Sequence, residues 1–251
     1  FDRIEKRARE KKIDISSIRY AISGAMPLPA DVAERWEKST GGYIIEGYGM
    51  TETSPTMCGS PMTSQRRRGA LGLPFPSTQM RLGDLNDPDV EPAEGEPGEI
   101  LVKGPQVFSG YLDADEENAQ AFTKDGYFRT GDIGMVDDGF VYLADRRKEL
   151  ILSGGFNVYP TQVEEAIRSM PGVKDVAIVG MPVPGGEEVT AALVLDEGVE
   201  NITLEDVRAW AEKKISHYAL PRSLAIVSEL PHSQIGKIMR RVVKDRLMLE
   251  R

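Results

Sequence analysis

Cysteine and histidine are scarce in this sequence: one cysteine, Cys58, and two histidines, His217 and His232, occur among 251 residues. A single cysteine excludes an internal disulfide, and two widely separated histidines lack the ligand spacing of a zinc site. Cys58 has no histidine or aspartate partner in the sequence that indicates a nucleophile, so we expect a small buried residue. A reducing, cytoplasmic environment fits these absences.

Long apolar runs and an excess of basic residues are also missing. No apolar run approaches the length of a membrane-spanning helix. Lys and Arg total 31 against 40 Asp and Glu, and the formal net charge of -9 disfavours nonspecific nucleic-acid binding. Peripheral attachment at the inner membrane face and homodimer formation stay compatible with this composition. The chain begins at Phe1, with neither an initiator methionine nor a signal peptide, so we expect part of a longer protein.

What is present is the composition of a soluble globular protein, with 40% hydrophobic and 28% charged residues. This is enough for one large or two modest domains with apolar cores. Between residues 70 and 147, short strands separated by Gly, Pro and Asp turns predict a small β-barrel or sheet. After residue 148, helices mixed with β-branched strands predict a compact α+β domain of about a hundred residues.

The most specific motif of the first half is GYGMTETSP, residues 47–55, which follows a strand predicted over 43–46. The Tyr48 ring between two glycines can stack on a base, and the Thr51 hydroxyl can bond a phosphate oxygen. The adjoining Glu52 carboxylate can hold Mg²⁺. The alternative is a glycine-rich turn with a buried tyrosine.

Two other segments of the first half allow simpler interpretations. In SGAMP, residues 23–27, the small residues Gly24 and Ala25 leave room for a flat ring, but a tight strand-to-helix turn explains them equally well. Residues 65–69 contain three consecutive arginines, which we expect to form a solvated loop.

Gly131 and Asp132 are predicted to lie in a turn before the apolar run 140–143. There the Asp132 carboxylate would face a cleft with both oxygens free to accept hydrogen bonds from vicinal sugar hydroxyls. A turn-capping role is the alternative. Residues 145–149, DRRKE, form a charged break between apolar runs, which predicts a linker or hinge; a solvated surface run is the other interpretation.

The segment that follows, SGGFN at 153–157, has paired glycines that let the backbone approach a ligand closely. Thr161 and Glu164 have the spacing of a capping box for a helix over 161–170. Near the end of the chain, Gly236 precedes Lys237 at the head of a basic helix predicted over 238–249. We expect Gly236 to let the loop project the ammonium group outward, although a helix-starting surface lysine is the alternative.

The segments TGD at 130–132, DRRKELI at 145–151 and SGGFNVYP at 153–160 occur in a fixed order. They resemble the motifs of the adenylate-forming acyl-CoA synthetases, and their sequences are most similar to those of the bacterial long-chain fatty acid CoA ligases. The resemblance extends over essentially the whole chain. It implies an α/β and α+β fold with two parts. Residues 1–147 would be the end of a large AMP-binding domain, with a nucleotide-site portion (1–64) and a β-barrel subdomain (65–147). Residues 148–251 would be a mobile α+β domain.

The resemblance also implies roles for individual residues. Lys237, Thr51 and Glu52 are the catalytic candidates, with Glu52 as the Mg²⁺ ligand and Lys148 as the hinge between domains. The expected ATP or AMP site comprises Gly24, Ala25, Gly47, Tyr48, Gly49, Met50, Thr51, Asp132, Arg146 and Lys237, and the coenzyme A path comprises Gly154, Gly155 and Phe156. The family more often has threonine where Ile235 stands here.

The function implied by the resemblance is ATP-dependent ligation in two half-reactions. A fatty acid and MgATP give an acyl-adenylate and pyrophosphate, and coenzyme A then displaces AMP to give the thioester. The family's Gly-rich phosphate loop with its lysine is missing from these residues, so we expect the chain alone to be inactive. An aryl- or amino-acid-activating domain that passes its acyl group to a carrier protein, and a noncatalytic remnant of the fold, are the alternatives.

Overall fold

The computed structural model describes residues 1–25, 28–199, 201–233 and 236–249. The chain divides into two compact units, Phe1–Leu143 and Ala144–Arg251. In the parts that the structure describes, no helix is both long and apolar enough to cross a membrane. The domain boundary expected at residues 147 and 148 rests on a hinge at Lys148 and stays a prediction.

The first unit has three α-helices, α1 (Asp2–Lys11), α2 (Ala30–Thr40) and α3 (Asp115–Ala121). Helix α2 buries Ala33 and Trp36, which lie on one face of the helix and pack against Ile44. It ends where Gly41 adopts φ 69°, a left-handed conformation that a glycine adopts without steric cost. Helix α2 therefore presents one apolar face to the core and ends at a glycine.

Eight strands form one sheet in the order β1-β2-β3-β4-β8-β7-β6-β5. Strands β1 and β2 run parallel, and the remaining recorded pairs are antiparallel. The α/β class is confirmed, and the pairings recorded for the described residues do not close the sheet into a barrel. The strands are β1 (Tyr20–Ser23), β2 (Tyr43–Gly49), β3 (Thr56–Gly59), β4 (Ala70–Pro74), β5 (Gln79–Gly83), β6 (Gly98–Lys103), β7 (Phe128–Asp137) and β8 (Phe140–Arg146).

The three consecutive arginines lie in a loop in which Arg68 is exposed and Arg66 and Arg67 are partly buried by ion pairs, so the expected solvated loop is only partly present. Arg66 donates to Glu37 on α2 at 2.5 Å, and its guanidinium lies 4.2 Å from the centre of the Tyr43 ring. Arg67 pairs with Asp137 at 3.0 Å, and Arg68 donates to Glu37 at 2.8 Å. The fold brings carboxylates from distant parts of the sequence onto this segment, and the local sequence carries no sign of them.

The second unit is a sheet with helices on both sides. Its three-stranded sheet consists of β11 (Val173–Val183), β12 (Gly186–Leu195) and β13 (Ser223–Ile226) in that order, with β11 and β12 antiparallel and β12 and β13 parallel. The elements of the second unit in chain order are β9 (Ile151–Ser153), β10 (Phe156–Val158), α4 (Pro160–Arg168), β11 (Val173–Val183), β12 (Gly186–Leu195), α5 (Leu204–Ala211), β13 (Ser223–Ile226) and α6 (Arg240–Leu249), with short 3-10 helices at Arg147–Glu149 and His217–Ala219. Strands β9 and β10 form a separate two-stranded sheet.

Alternating side chains of β11 build two cores on opposite faces of this sheet. Val176 and Ile178 join the core that includes residues of α4 and α5. Ala177 and Val179 join the core that includes Val243 and Leu247 of α6. The compact α+β class predicted for this half of the chain is confirmed.

Helices α5 and α4 begin differently. Thr203 caps α5, since its side chain accepts a hydrogen bond from the Asp206 N–H, and Asp206 in turn accepts from the Thr203 N–H. The capping box of Thr161 and Glu164 was wrong, because α4 begins at Pro160 and has no side-chain cap. The Thr161 N–H donates instead to Asp145 at 2.7 Å.

Candidate functional site

Asp132 and Tyr48 meet in the first unit. The Tyr48 hydroxyl donates to Oδ2 of Asp132 at 2.5 Å. Asp132 is 6% exposed and lies inside β7, so the predicted turn was wrong. Gly131, which indicated that turn, adopts φ 71° within the strand, and a Cβ built there has no atom within 4 Å. The expectation that both Asp132 oxygens are free was also wrong, since Oδ2 already accepts from Tyr48.

The Tyr48–Asp132 pair is held in one protonation arrangement. Burial raises the pKa of Tyr48 well above its ordinary value, and the negative charge of Asp132 raises it further. Tyr48 therefore stays protonated and acts as the donor. The Thr130 hydroxyl donates to the Ile100 carbonyl at 2.8 Å and accepts from the Asp132 N–H at 3.1 Å. These contacts fix the backbone that carries the carboxylate.

Gly24, Ala25 and Gly47 lie together at the ends of the parallel pair β1 and β2. A Cβ on Gly24 would lie 3.2 Å from the Gly47 carbonyl oxygen, so little space separates the two backbones. Ala25 has φ 66°, in the left-handed region. Met26 and Pro27, which complete the SGAMP motif, lie outside the described residues.

The GYGMTETSP segment comprises the last three residues of β2, which runs beyond the strand predicted over 43–46, and a compact turn that follows them. A Cβ on Gly49 would lie 1.9 Å from the Pro55 carbonyl oxygen, so no other residue fits at this position. The Thr53 hydroxyl accepts from the Met50 N–H at 3.1 Å and closes a short 3-10 helix, Thr51–Thr53. Thr51 is left exposed and Glu52 half-buried.

Glu52 is held by a residue that the sequence did not reveal. Its Oε1 accepts from the Tyr111 hydroxyl at 3.0 Å, and its backbone carbonyl accepts from the Phe108 N–H at 2.9 Å. The Phe108 and Tyr111 rings pack edge to face with centroids 4.8 Å apart. This aromatic pair orients the Glu52 side chain.

The donor set around Glu52 fits one class of metal. In the described parts of the chain, no group of three or more His, Cys, Asp or Glu residues is placed to hold an ion. This excludes an all-protein cage from those residues. A single oriented carboxylate suits Mg²⁺, which keeps several waters and takes its other ligands from phosphate oxygens.

The charged break at 145–149 lies in the second unit and is not uniformly solvated. Asp145 is 2% exposed, and its burial raises the pKa of the carboxyl group. Arg146 and Lys148, the predicted ribose ligand and hinge, are exposed. Arg146 ends β8, and Lys148 lies in the 3-10 helix Arg147–Glu149.

Gly154 and Gly155 form the turn of the β9–β10 hairpin, with φ 59° and 83°. A Cβ on Gly155 would have no atom within 4 Å, so the backbone is open to an approaching molecule. Phe156 is 54% exposed and stacks on Tyr218, with ring centroids 4.7 Å apart and planes at 18°. The glycine turn and the aromatic pair are accessible, and the coenzyme A path assigned to Gly154, Gly155 and Phe156 stays a prediction.

Lys237 lies just before α6 and is half-buried. The Ser233 N–H donates to the Lys237 carbonyl at 2.8 Å, and the Lys237 N–H donates to the Ser233 hydroxyl at 3.1 Å. His232 and Ile238 form an antiparallel bridge. Gln234 and Ile235 lie outside the described residues.

The structure thus brings together some of the predicted residues and adds another. Within the first unit it joins Tyr48 to Asp132 and Gly24 to Gly47. It adds Tyr111, for which the sequence signal was only a tyrosine beside a glycine. The metal and catalytic roles of Glu52, Thr51 and Lys237 stay predictions.

Comparison with known proteins agrees with these motifs. The sequence profile of the AMP-binding enzyme family matches residues 1–112, and that of the AMP-binding enzyme C-terminal domain matches residues 162–237. The long-chain-fatty-acid–CoA ligase of Escherichia coli O6:H1 is 39% identical over 236 residues, covering 94% of this chain and 41% of that protein. The mitochondrial malonate–CoA ligase of Bos taurus is 36% identical over 244 residues, covering 89% of this chain.

A solved structure gives the same result. ATP-bound MatB from Rhodopseudomonas palustris superposes with a TM-score of 0.81 at 37% identity, covering 90% of this chain and 44% of that one. The chain spans 41% of the length of each of the two curated relatives. The resemblance seen in the sequence is confirmed, and the chain belongs to the family of AMP-binding, adenylate-forming enzymes.

Proposed function

We propose that this chain acts within a longer polypeptide, here called the parent polypeptide, as part of an ATP-dependent ligase that joins long-chain fatty acids to coenzyme A. The observation that carries the proposal is the buried Asp132 carboxylate, held by Tyr48 beside the glycine-lined ends of β1 and β2. Such a site combines an acceptor for ribose hydroxyls with small residues against which a flat base can lie.

The residues of the first unit bind and orient the nucleotide. Asp132 accepts hydrogen bonds from the ribose, the Tyr48 ring lies against the base, and the exposed Thr51 hydroxyl bonds a phosphate oxygen. Glu52, oriented by Tyr111, holds Mg²⁺. When bound, the ion neutralises part of the negative charge on the phosphate oxygens.

The first half-reaction needs a positive charge where two anions meet. A carboxylate oxygen of the acid bonds to the α-phosphorus, and the bond from that phosphorus to pyrophosphate breaks. Lys237 supplies the ammonium group that offsets the repulsion between the carboxylate and the phosphate.

The second half-reaction uses a different surface of the second unit. The thiolate sulfur of coenzyme A bonds to the acyl carbon, and the bond to AMP breaks. Gly154, Gly155 and Phe156 line the path of the pantetheine chain, and rotation about Lys148 exchanges the two surfaces. The exposed glycine turn of the β9–β10 hairpin supports this assignment.

The choice of a long-chain fatty acid as substrate rests on the 39% identity to the Escherichia coli ligase. The malonate–CoA ligase of Bos taurus, at 36% identity, makes a small dicarboxylic acid the second candidate. The two candidate substrates differ in what the acyl pocket must accept. A fatty acid brings an apolar chain, and a dicarboxylic acid brings a second carboxylate that needs a cationic partner.

The test is acid-dependent pyrophosphate release by the parent polypeptide with MgATP and, separately, palmitate, malonate or benzoate. We expect release with palmitate, and loss of that release in Lys237→Ala but not in the control Lys213→Ala, which changes an exposed lysine. Lys237→Ala should still convert supplied acyl-AMP and coenzyme A to thioester. Release with malonate alone contradicts the assigned substrate, and no release with any acid contradicts the reaction. The 251-residue chain by itself should release none.

A further inference from the structure

Arg240, the first residue of α6, lies in a cluster of carboxylates. Its Nε donates to Oε1 of Glu164 at 2.7 Å and its Nη2 to Oε2 of Glu164 at 2.7 Å, a two-pronged contact with α4. Nη2 also donates to the Thr161 hydroxyl at 2.9 Å. Nη1 donates to Glu149 and lies 3.7 Å from Oδ1 of Asp145.

This cluster is mostly withdrawn from water. The side chains of Asp145 and Glu164 are 1% and 5% exposed, and that of Arg240 is 16% exposed. Burial disfavours the charged guanidinium, but the hydrogen bonds and negative charge of Glu164 outweigh it and raise the pKa of Arg240. Arg240 is therefore permanently charged, and its planar fork matches a carboxylate in a way that lysine cannot.

Arg240 connects three elements that are distant in sequence. Glu164 belongs to α4, and it also accepts from the Ile178 N–H of β11 at 2.9 Å. Glu149 belongs to the 3-10 helix Arg147–Glu149, here called the hinge segment because it contains Lys148, the predicted hinge. Arg240 thus joins α6 to the core of the unit and to the hinge segment.

The described residues 231–233 and 236–239, here called the lysine loop, are anchored on both sides. On the incoming side, His232 Nε2 lies 3.2 Å from Oδ2 of Asp175 on β11. The outgoing side runs directly into Arg240. The Met239 N–H donates to the Pro231 carbonyl at 2.9 Å and ties the two sides to each other. The backbone at 236–239, which carries Lys237, is therefore tied to Pro231 and runs directly into Arg240.

We propose that Arg240 is a positioning residue for Lys237: by joining α6 to Glu164 and Glu149, it makes the lysine loop and the hinge segment move as one body. The inference rests on the function proposed above, in which Lys237 serves the first half-reaction. Arg240 touches neither substrate nor the reacting atoms, and acts through the loop.

The first test measures both half-reactions in the parent polypeptide. In Arg240→Gln, kcat for palmitate-dependent pyrophosphate release should fall about tenfold to a hundredfold, because a displacement of about 1 Å has that effect on a reacting group. The KM for ATP and the conversion of supplied acyl-AMP to thioester should change by less than about threefold. The matched control is Arg241→Gln, which changes the exposed neighbouring arginine.

The second test does not depend on catalysis. In the 251-residue chain, Arg240→Gln should speed hydrogen exchange at the amides of Lys237 and Met239 and leave the amides paired between β11 and β12 unchanged. Uniformly faster exchange across the unit would mean that Arg240 only stabilises the fold, and would overturn the proposal.

A milder variant covers the case in which Arg240→Gln does not fold, since removing the partner of buried carboxylates is strongly destabilising. Glu149→Gln replaces a side chain that is 32% exposed and weakens only the contact between α6 and the hinge segment. It should slow pyrophosphate release about threefold to tenfold with thioester formation unchanged. Equal slowing of both half-reactions would overturn the proposal.

The outcomes separate the two claims. If the wild-type protein releases no pyrophosphate with any acid, the proposed function fails, and the positioning role fails with it. If wild type is active, Lys237→Ala is inactive, and both Arg240→Gln and Glu149→Gln keep wild-type pyrophosphate release, the proposed function stands and the inference about Arg240 is wrong.

Discussion

The Tyr48 hydroxyl and the Asp132 carboxylate are 2.5 Å apart, although three other strands separate β2 from β7 in the sheet. Four steps between neighbouring strands amount to roughly 19 Å in a flat sheet. That is beyond the reach of one tyrosine side chain, so the sheet of the first unit must curl until β2 and β7 face each other. The hydrogen bond is therefore a direct link across a strongly bent sheet.

The first prediction concerns the strength of this link. Tyr48→Phe removes the donor and leaves Asp132, which is 6% exposed, with one hydrogen bond fewer. We expect the free energy of unfolding of the first unit to fall by about 1–3 kcal/mol, the usual cost of unpairing a buried charged acceptor. Urea unfolding followed by Trp36 fluorescence in a Trp210→Phe background measures it, since the chain has only two tryptophans.

The matched control for Tyr48→Phe is Tyr20→Phe, because Tyr20 is 48% exposed on β1. This control should leave the free energy of unfolding unchanged within about 0.5 kcal/mol. Equal effects of the two substitutions would mean that the Tyr48 hydroxyl contributes nothing to stability.

The second prediction concerns the single thiol. Cys58 has no exposed surface, its Sγ lies 3.5 Å from the Leu71 carbonyl, and burial raises the pKa of the thiol to about 12. Since the thiolate is the reactive species, the folded protein should resist alkylation by iodoacetamide at pH 8. In 8 M urea one equivalent should react quickly, and rapid reaction of the folded chain would contradict the buried position.

Local patterns predicted the fold class of the second unit well because its strands and helices bury side chains with the periodicity of the sequence. The β-branched run starting at Val173 forms a strand with two buried faces, and Thr203 caps α5 because its partner Asp206 is only three residues away. Thr161 and Glu164 have the same spacing but form no capping box. Asp145, 16 residues earlier, takes the Thr161 N–H, and Arg240, 76 residues later, takes the Glu164 carboxylate.

The candidate site was only partly predictable for the same reason. The sequence motifs identified Tyr48, Glu52 and Asp132 as candidates. No local pattern indicates that Tyr48 contacts Asp132, or that Tyr111 contacts Glu52, which is 59 residues away. Gly131 suggested a turn because glycine is common in turns; in the structure it supplies a positive φ inside a strand. Long-range partners decide these cases.

The third prediction is a pH dependence set by Glu37. Burial alone would raise the pKa of this carboxyl group, but hydrogen bonds from Arg66, the Ile44 N–H and Arg68 outweigh it, and the pKa is lowered. A lowered pKa in the folded state means that the stabilisation is present above the ordinary value of 4.5 and is lost as pH falls through the folded value.

Glu37→Gln should therefore reduce the free energy of unfolding of the first unit by about 1–2 kcal/mol at pH 7. The difference from the wild-type protein should shrink as the pH falls below about 4. Urea unfolding at pH 7, 5 and 3.5, followed by Trp36 fluorescence as above, gives both values. A difference that stays constant over this range would contradict the role of the Glu37 charge.

The fourth prediction concerns the metal affinity of the site. The Tyr111 hydroxyl donates to Oε1 of Glu52, and burial together with this bond raises the pKa of Tyr111, so the hydroxyl stays a donor at neutral pH. Without the bond, Glu52 can rotate away from the position in which it meets an ion carried by the phosphates. Groups that orient a metal-binding carboxylate are worth about tenfold or more in affinity.

Tyr111→Phe should raise the Mg²⁺ concentration for half-maximal pyrophosphate release by about tenfold. The rate at saturating Mg²⁺ should stay near the wild-type value, because Phe keeps the ring that packs on Phe108. The matched control is Tyr127→Phe, which removes a hydroxyl that donates to Gln79 at 3.0 Å and should leave the Mg²⁺ requirement unchanged. An unchanged requirement in Tyr111→Phe would mean that Glu52 binds the ion without help from Tyr111, or does not bind it.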